Sequence, residues 1–237
     1  VMRQIEWYEY NETVTHPVTI IILIISIIWI IFSDKKYLLI AFLFIACFVA
    51  YRHRIVLWGI DLPYMRILFF GVIIRYILKN DSHIEYLTKL DKLIILYAVS
   101  SFLTYVLLWA TLSAILNRIG FIIDTAGIYF IVRLYARDYK AIENIFKALF
   151  FFTIILSVFF LYEYFTYTNP FGTLGGIRET VVIRQGSIRA QGSFSHAILA
   201  GTFGSTIIIL ALGFWRSNIQ INQTSLFLSL CAGAVIT

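Results

Sequence analysis

The stretch that decides the fold class is residues 93–116, LIILYAVSSFLTYVLLWATLSAIL, which holds 24 residues and no charged side chain. A helix needs about 20 consecutive apolar residues to cross the hydrocarbon core of a bilayer. The stretch meets that length without an interruption. The sequence therefore predicts a membrane-spanning helix here.

The composition of the whole chain agrees with this prediction. Its 237 residues are 60% hydrophobic and 14% charged, against roughly 45–50% and 25% in soluble proteins. A soluble chain this poor in charge could not cover its surface, so a cytosolic enzyme and a disordered tail are both excluded. The apolar runs are continuous, which argues against the alternating strands of an outer-membrane barrel.

Further apolar runs follow one another along the chain. With 93–116, they predict an all-α, polytopic transmembrane helical bundle of seven to eight spans in a single domain, 1–237. The candidate spans are Pro17–Phe32, 37–51, 93–116, 118–134, 145–165, 194–215 and the beginning of another at 224–237. The last run stops before it is long enough to cross, so we expect a C-terminal truncation. The initial Val is consistent with an N-terminal one as well.

The run 55–78 leaves two interpretations open. It is long enough to cross a bilayer, but it contains Asp61, Pro63, Arg66 and Arg75. We favour a single span with a polar entrance. The alternative is a re-entrant or interfacial piece followed by a short helix that begins near Pro63, because proline is tolerated in a first helical turn.

The connectors alternate between two sides of the membrane. One side carries nine cations: Lys35, Lys36, Lys79, Lys89, Lys92, Arg137, Lys140, Lys147 and Arg216. The other carries seven, three of them in the segment 166–193: Arg3, Arg52, Arg54, Arg118, Arg178, Arg184 and Arg189. Because Lys and Arg favour the cytoplasmic side, we predict that 166–193 is an external loop of an inner-membrane protein. The N-terminal tail, with Glu6, Glu9 and Glu12, is placed outside too.

Ionisable residues at membrane depth are costly unless they are paired, and this makes them candidates for function. Asp124 is predicted to meet Arg66 or Arg75 from a neighbouring helix. Arg133 is predicted to extend to the cytoplasmic interface beside Arg137. Glu163 has two open interpretations, an interfacial carboxylate or one that points into an outward-facing cavity.

The most informative segment is 166–201, TYTNPFGTLGGIRETVVIRQGSIRAQGSFSHAILAG. Arg178, Arg184 and Arg189 fall within twelve residues, just before a span whose start near Ser193 or Ser195 is a candidate N-cap. Helix N-termini and guanidinium groups both bind anions. The pattern favours a site for a lipid-linked phosphate or pyrophosphate, and ordinary lipid head groups are the competing interpretation.

The residues that follow these arginines resemble the R-x-x-G-x-F-x-H/N pattern of the O-antigen ligase and O-antigen polymerase superfamily. The matching positions are Arg189, Gly192, Phe194 and His196. Two upstream stretches are similar to the family in the same order, 123–143 around Asp124 and 161–170 around Glu163. The resemblance covers about residues 90–237, and the earlier spans fit only as generic apolar helices.

The resemblance implies a membrane glycosyltransferase of lipopolysaccharide or exopolysaccharide biosynthesis in the cell envelope. Such enzymes transfer a glycan from a polyprenyl-pyrophosphate-linked donor to an acceptor glycan or lipid on the external face, without a metal, a cofactor or a nucleotide sugar. Family arginines neutralise the pyrophosphate, and the matching motif implies this role for Arg189. Arg184 and Arg178 are further candidates, and the resemblance does not say which of them touches the phosphate. The family's catalytic base is a histidine in a later external loop, expected beyond residue 237, and His196 is instead expected to cap or line a helix start.

Two other classes of function remain open. A transporter or flippase for a lipid-linked or anionic substrate is the runner-up, although such proteins favour internal repeats and ionisable groups near the midplane. A structural membrane subunit, with the arginines as head-group anchors, is the third. The cations lie in short connectors rather than on one exposed face, so nucleic acid is not an expected partner. Neither Cys47 nor Cys231 belongs to a disulfide or metal-binding pattern.

Overall fold

The computed structural model describes residues 12–57, 59–80, 86–184, 186–216 and 222–236. Helices make up 73% of them, which confirms a mostly helical fold. In chain order the α-helices are α1 Pro17–Phe32, α2 Leu38–Phe48, α3 Tyr64–Lys79, α4 Lys89–Trp109, α5 Leu112–Ile122, α6 Ile128–Tyr135, α7 Tyr139–Thr166, α8 Ala197–Arg216 and α9 Gln223–Ile236. A π-helical segment, Ile123–Gly127, joins α5 to α6, and short 3₁₀ turns lie at Lys35–Tyr37 and Gly172–Leu174.

Two small antiparallel hairpins interrupt the helices. The first pairs β1, Arg54–Leu57, with β2, Ile60–Pro63. The second pairs β3, Val182–Arg184, with β4, Ser187–Arg189. Both fall in stretches where glycine, proline and charged residues break the apolar runs, so the local sequence disfavours a continuous helix there.

Four helices in the described part of the chain are long and apolar enough to cross a membrane. They are α4, the continuous 24-residue helix Leu112–Tyr135 formed by α5, the π-helical segment and α6, then α7 and α8. The predicted count of seven to eight spans is not supported. Helix α2 has 11 residues, and at 1.5 Å per residue it covers about 16 Å of a hydrocarbon core about 30 Å thick. The apolar helices α1 and α9 are also shorter than a full span.

Two of the predicted boundaries are wrong for local reasons. The stretch 93–116 is not one helix, because Ala110 adopts a left-handed backbone with φ 47° and the Thr111 side chain caps the next helix at Ala114. The connector is therefore Ala110–Thr111, and Asn117–Arg118 lies inside α5. The favoured single span at 55–78 is instead a hairpin followed by the 16-residue α3, which begins immediately after Pro63.

The apolar core has three parts, one of which lies between α7, α8 and α9 around Phe150 and Ile207; the other two meet at α2. Of these two, one is formed by α1, α2, α3 and α6 and includes the fully buried Ile30, Leu38 and Leu68. The other lies between α2, α7 and α8 and includes Leu156 and Phe160. Helix α2 contributes to both, which holds the N-terminal helices against the α7–α8 unit.

The connectors collect at two ends of the molecule. We use the name hairpin end for the end that carries β1 to β4, where the Tyr51 amide donates to the Ser193 carbonyl. The opposite end carries residues 33–37, 86–91 and 133–143, where Lys35 lies 3.8 Å from Asp138. This division matches the predicted grouping for the connectors 33–36, 86–92 and 136–143 at one end and 52–54 and 166–193 at the other, whereas the predicted connector Asn117–Arg118 lies inside α5 and most of 216–223 lies outside the described residues. The predicted external N-terminal tail, including Arg3, Glu6 and Glu9, falls outside the described residues apart from Glu12.

Candidate functional site: an arginine-bearing hairpin

The hairpin β3–β4 brings two of the three predicted phosphate-binding arginines to one face. Its register pairs Val182 with Arg189 and Arg184 with Ser187. Directly opposed residues of an antiparallel pair share a face, and diagonal neighbours lie within reach of long side chains. Arg184 and Arg189 are such a diagonal pair. In the described part of the chain, neither guanidinium is engaged in an ion pair or a hydrogen bond.

The third predicted residue, Arg178, lies outside this pair. It follows the turn at Gly172–Leu174 and is exposed, as is Arg184, whereas Arg189 is half-buried. Just after Arg178, Thr180 forms an antiparallel bridge with Thr168, which brings the chain back beside the end of α7. A Cβ at Gly172 would lie 2.6 Å from the Arg178 carbonyl oxygen, so this close return needs glycine. The structure therefore groups Arg184 with Arg189 and leaves Arg178 at the neighbouring turn.

Glu163 holds the segment that follows the hairpin. Its fully buried carboxylate accepts hydrogen bonds from the Gln191 amide at 3.1 Å and the Gly192 amide at 2.8 Å. The sequence leaves open an interfacial carboxylate or one in an outward-facing cavity, and the structure adds two backbone amides as its partners. The Glu163 carboxylate fixes the backbone two and three residues after Arg189, and it thereby positions the hairpin relative to α7.

Gly192 is required at its position for two separate reasons. Its backbone has φ +56°, in the left-handed region that favours glycine. A Cβ added there would lie 2.5 Å from a ring carbon of Phe160. The glycine of the R-x-x-G pattern therefore lets the chain pass against α7 while its amide points at Glu163.

Two further side chains fasten this segment to the bundle. Asn169 is buried and donates from its side-chain amide to the Gly192 carbonyl at 2.8 Å. Ser193 is buried too, and its hydroxyl donates to the Cys47 carbonyl at the end of α2. The pair Asn169-Pro170 is typical of a turn, and that pattern carries no information about a hydrogen bond to the distant Gly192.

The start of α8 differs from the prediction. The helix begins at Ala197, so the residue before it is His196, whose carbonyl accepts from the Leu199 and Ala200 amides. Ser193 is not the cap, since its hydroxyl bonds to Cys47. The His196 side chain is exposed at the helix start. Phe194 packs against Phe203 of the same helix, with ring centroids 5.2 Å apart.

The predicted partner of Asp124 is confirmed. The Arg66 guanidinium binds its carboxylate in a forked arrangement, at 2.9 Å through Nε and 2.6 Å through Nη2. Asp124 lies in the π-helical segment, and Gly120 gives Arg66 room, since a Cβ there would lie 2.6 Å from the guanidinium carbon. Arg66 also donates to the Asp61 carbonyl at 2.8 Å. Burial raises the pKa of the Asp61 carboxyl, and Arg54 and Arg66 oppose this shift.

The structure gives Arg133 two partners that the sequence did not predict, at the end of the molecule that also carries Arg137. Arg133 forms an ion pair with the fully buried Asp91 carboxylate and donates to the Tyr86 carbonyl at 2.8 Å. Asp91 also accepts from the Tyr129 hydroxyl at 2.7 Å and from the Thr88 amide. Sequence reasoning missed Asp91, although the pattern Thr88-x-x-Asp91 before an apolar run is the signature of a capping box.

A buried histidine lies near the turn that precedes Arg178. The His53 side chain contacts the Val14 carbonyl through Nδ1 at 3.3 Å, and its Nε2 has no hydrogen-bond partner in the described part of the chain. A Cβ at Gly176 would lie 3.4 Å from the imidazole. Burial lowers the pKa of His53, the nearby His16 lowers it further, and the Val14 carbonyl opposes both effects.

Within the described residues, no group of three or more His, Cys, Asp or Glu side chains is arranged to hold a metal ion. Comparison with known proteins gives no match to any protein-family model, curated protein or solved structure.

Proposed function

We propose that the chain is a membrane glycosyltransferase of the O-antigen ligase or polysaccharide polymerase type. It takes a glycan from a polyprenyl-pyrophosphate-linked donor and transfers it to an acceptor glycan or lipid on the external face of the inner membrane. The observation that carries the proposal is the arginine pair on one face of β3–β4, without protein partners in the described residues. Four helices apolar enough to span a membrane support a membrane setting.

The arginine pair suits a pyrophosphate leaving group. Charge develops on the leaving oxygen as the glycosidic bond breaks, and cations fixed in advance stabilise that charge more than they stabilise the bound donor. Guanidinium groups remain charged and form forked hydrogen bonds with phosphate oxygens. Arg189 is the better placed of the two, because Glu163 anchors the backbone just after it.

The separation of connectors between the two ends supports one orientation of the chain in the membrane. The opposite end carries Lys35, Lys36 and Lys140. The hairpin end carries Arg184 and Arg189, but this proposal assigns both to pyrophosphate binding, so they are left out of the comparison of charge between the two ends. The positive-inside rule then favours a cytoplasmic opposite end. Single-cysteine labelling at Gly175 and Lys140 in intact cells, with Cys47 and Cys231 replaced, tests this orientation. Labelling of both positions from the same side would contradict it.

The functional test compares Arg189→Ala and Arg189→Lys in the full-length protein. One lost charge-assisted contact costs about 1.5–3 kcal/mol, so Arg189→Ala should slow glycan transfer roughly tenfold to more than a hundredfold. Arg189→Lys should recover only part of the rate, because an ammonium lacks the fork. Arg216→Ala, an exposed arginine at the end of α8, is the matched control and should transfer normally.

Glycan transfer from a polyprenyl-pyrophosphate-linked donor is measured in membranes beside the yield of inserted protein. If Arg189 only anchors lipid head groups, Arg189→Ala should lower the yield of inserted protein slightly, and Arg189→Lys should restore the yield fully. A transporter predicts that the donor changes leaflet while its glycosidic bond stays intact. Full transfer activity in Arg189→Ala would remove the pyrophosphate assignment.

A further inference from the structure

Arg118 lies inside a candidate membrane span, away from the hairpin arginines. It is on α5, seven residues after the capping residue Thr111, which places its backbone about 10 Å along the helix from the turn. Helical side chains lean towards the helix N-terminus, so Arg118 leans towards the Ala110–Thr111 turn. That turn belongs to the hairpin end, because α4 starts beside Arg133 at the opposite end.

The contacts of the Arg118 guanidinium are mostly aromatic. It lies 3.9 Å from the ring centroid of Tyr105 on α4 and 5.0 Å from that of Phe121. Its one polar contact is with the Ser101 hydroxyl at 3.5 Å, and its Nε is buried without a hydrogen-bond partner in the described part of the chain. Stacking on Tyr105 offsets part of the cost of the charge, but it satisfies few of the five N–H groups.

The rest of the protein covers little of this pair of helices. Helix α4 is the least covered of the four candidate spans, with 6% of its apolar window buried inside the protein. Among the described elements it packs chiefly on α5. Arg118 itself is half-buried and its Nε is enclosed, so a molecule beside the helix can approach only the exposed part of its side chain.

We propose that Arg118, with the Ser101 hydroxyl beside it, is a binding site for the phosphate of an anionic membrane lipid. A charge at this depth is costly without a counter-ion, and among the described residues no carboxylate contacts the guanidinium. A lipid phosphate supplies the missing charge and accepts the forked hydrogen bonds that the stacked guanidinium presents. Tyr105 holds the guanidinium plane, while the acyl chains of the lipid lie against the exposed face of α4. The proposal is independent of the glycosyltransferase assignment, since Arg118 is not part of the hairpin.

The test measures lipid retention by the purified full-length chain with native mass spectrometry. Protein is titrated with phosphatidylglycerol, with a phosphate-free galactosyl diacylglycerol and with inorganic phosphate. Wild type should retain phosphatidylglycerol in preference to the phosphate-free lipid. Arg118→Gln should lower the affinity for phosphatidylglycerol at least fivefold and leave the affinity for the galactolipid unchanged. Arg216→Gln is the control for simple loss of a positive charge and should behave as wild type.

Equal retention of phosphatidylglycerol by wild type and Arg118→Gln would overturn the proposal. Inorganic phosphate that competes as well as the lipid would assign the site to free phosphate and overturn the lipid assignment. If Arg118→Gln fails to accumulate in membranes, Arg118→Lys replaces it, because lysine keeps the charge and removes the fork. An intermediate affinity of that variant supports the site, and wild-type affinity overturns it.

Discussion

The carboxylate of Glu163 should determine how firmly the arginine hairpin is held. Glu163→Gln keeps the shape of the side chain but replaces one acceptor oxygen with an NH₂ group that faces a backbone N–H. The variant therefore loses at least one of the two hydrogen bonds to Gln191 and Gly192. A hydrogen bond to a charged group contributes about 1.5–3 kcal/mol, so local opening of this segment should become roughly 10- to 150-fold more frequent.

Hydrogen exchange followed by mass spectrometry measures this opening directly. Peptides that contain the amides of Gln191 and Gly192 should exchange faster in Glu163→Gln by about that factor. Glu143→Gln is a matched control, since it makes the same change on the same helix α7 at the opposite end, where Glu143 binds Lys147 and Lys140. It should leave exchange at residues 191 and 192 unaltered. Wild-type exchange of these two amides in Glu163→Gln would refute the reasoning.

Two other perturbations test the electrostatics outside the hairpin. Asp124→Asn should lower the free energy of unfolding by about 1–2 kcal/mol, because it weakens the fork with Arg66 in a partly exposed setting. The double change Arg66→Met with Asp124→Leu should regain most of that loss, and a silent Asp124→Asn in a denaturant titration would contradict the pairing. His53 has a lowered pKa, so the unfolded chain binds its proton near pH 6.5 while the folded chain does not. Stability that is present above this pH should therefore be lost as the pH falls towards the folded-state pKa. The thermal midpoint should drop more between pH 7.5 and 5.5 in wild type than in His53→Gln, and parallel drops would rule out this role.

The composition and the apolar runs determined the fold class, and local signals determined several details. Backbone groups cannot stay unpaired in lipid, so long apolar runs become helices whatever their neighbours are. An unpaired charge is costly in lipid too, so the sequence indicated that Asp124 needs a partner. Arg66 was one of the two candidates that the sequence offered. The glycine of the R-x-x-G pattern was recognisable from sequence, although its contact with Phe160 was not.

The tertiary structure decided which residues from distant parts of the sequence contact one another. Glu163 and Gly192 are 29 residues apart, and only the return of the chain after α7 brings carboxylate and amide together. The partner of Arg133 was equally remote, because Asp91 lies on a helix that meets α6 only in the folded bundle. Hydropathy measures how much a segment prefers lipid over water, but it carries no information about which side chains face one another. The mostly helical fold therefore followed from the sequence, while the arginine pair and the groups that hold it followed from strand register and packing.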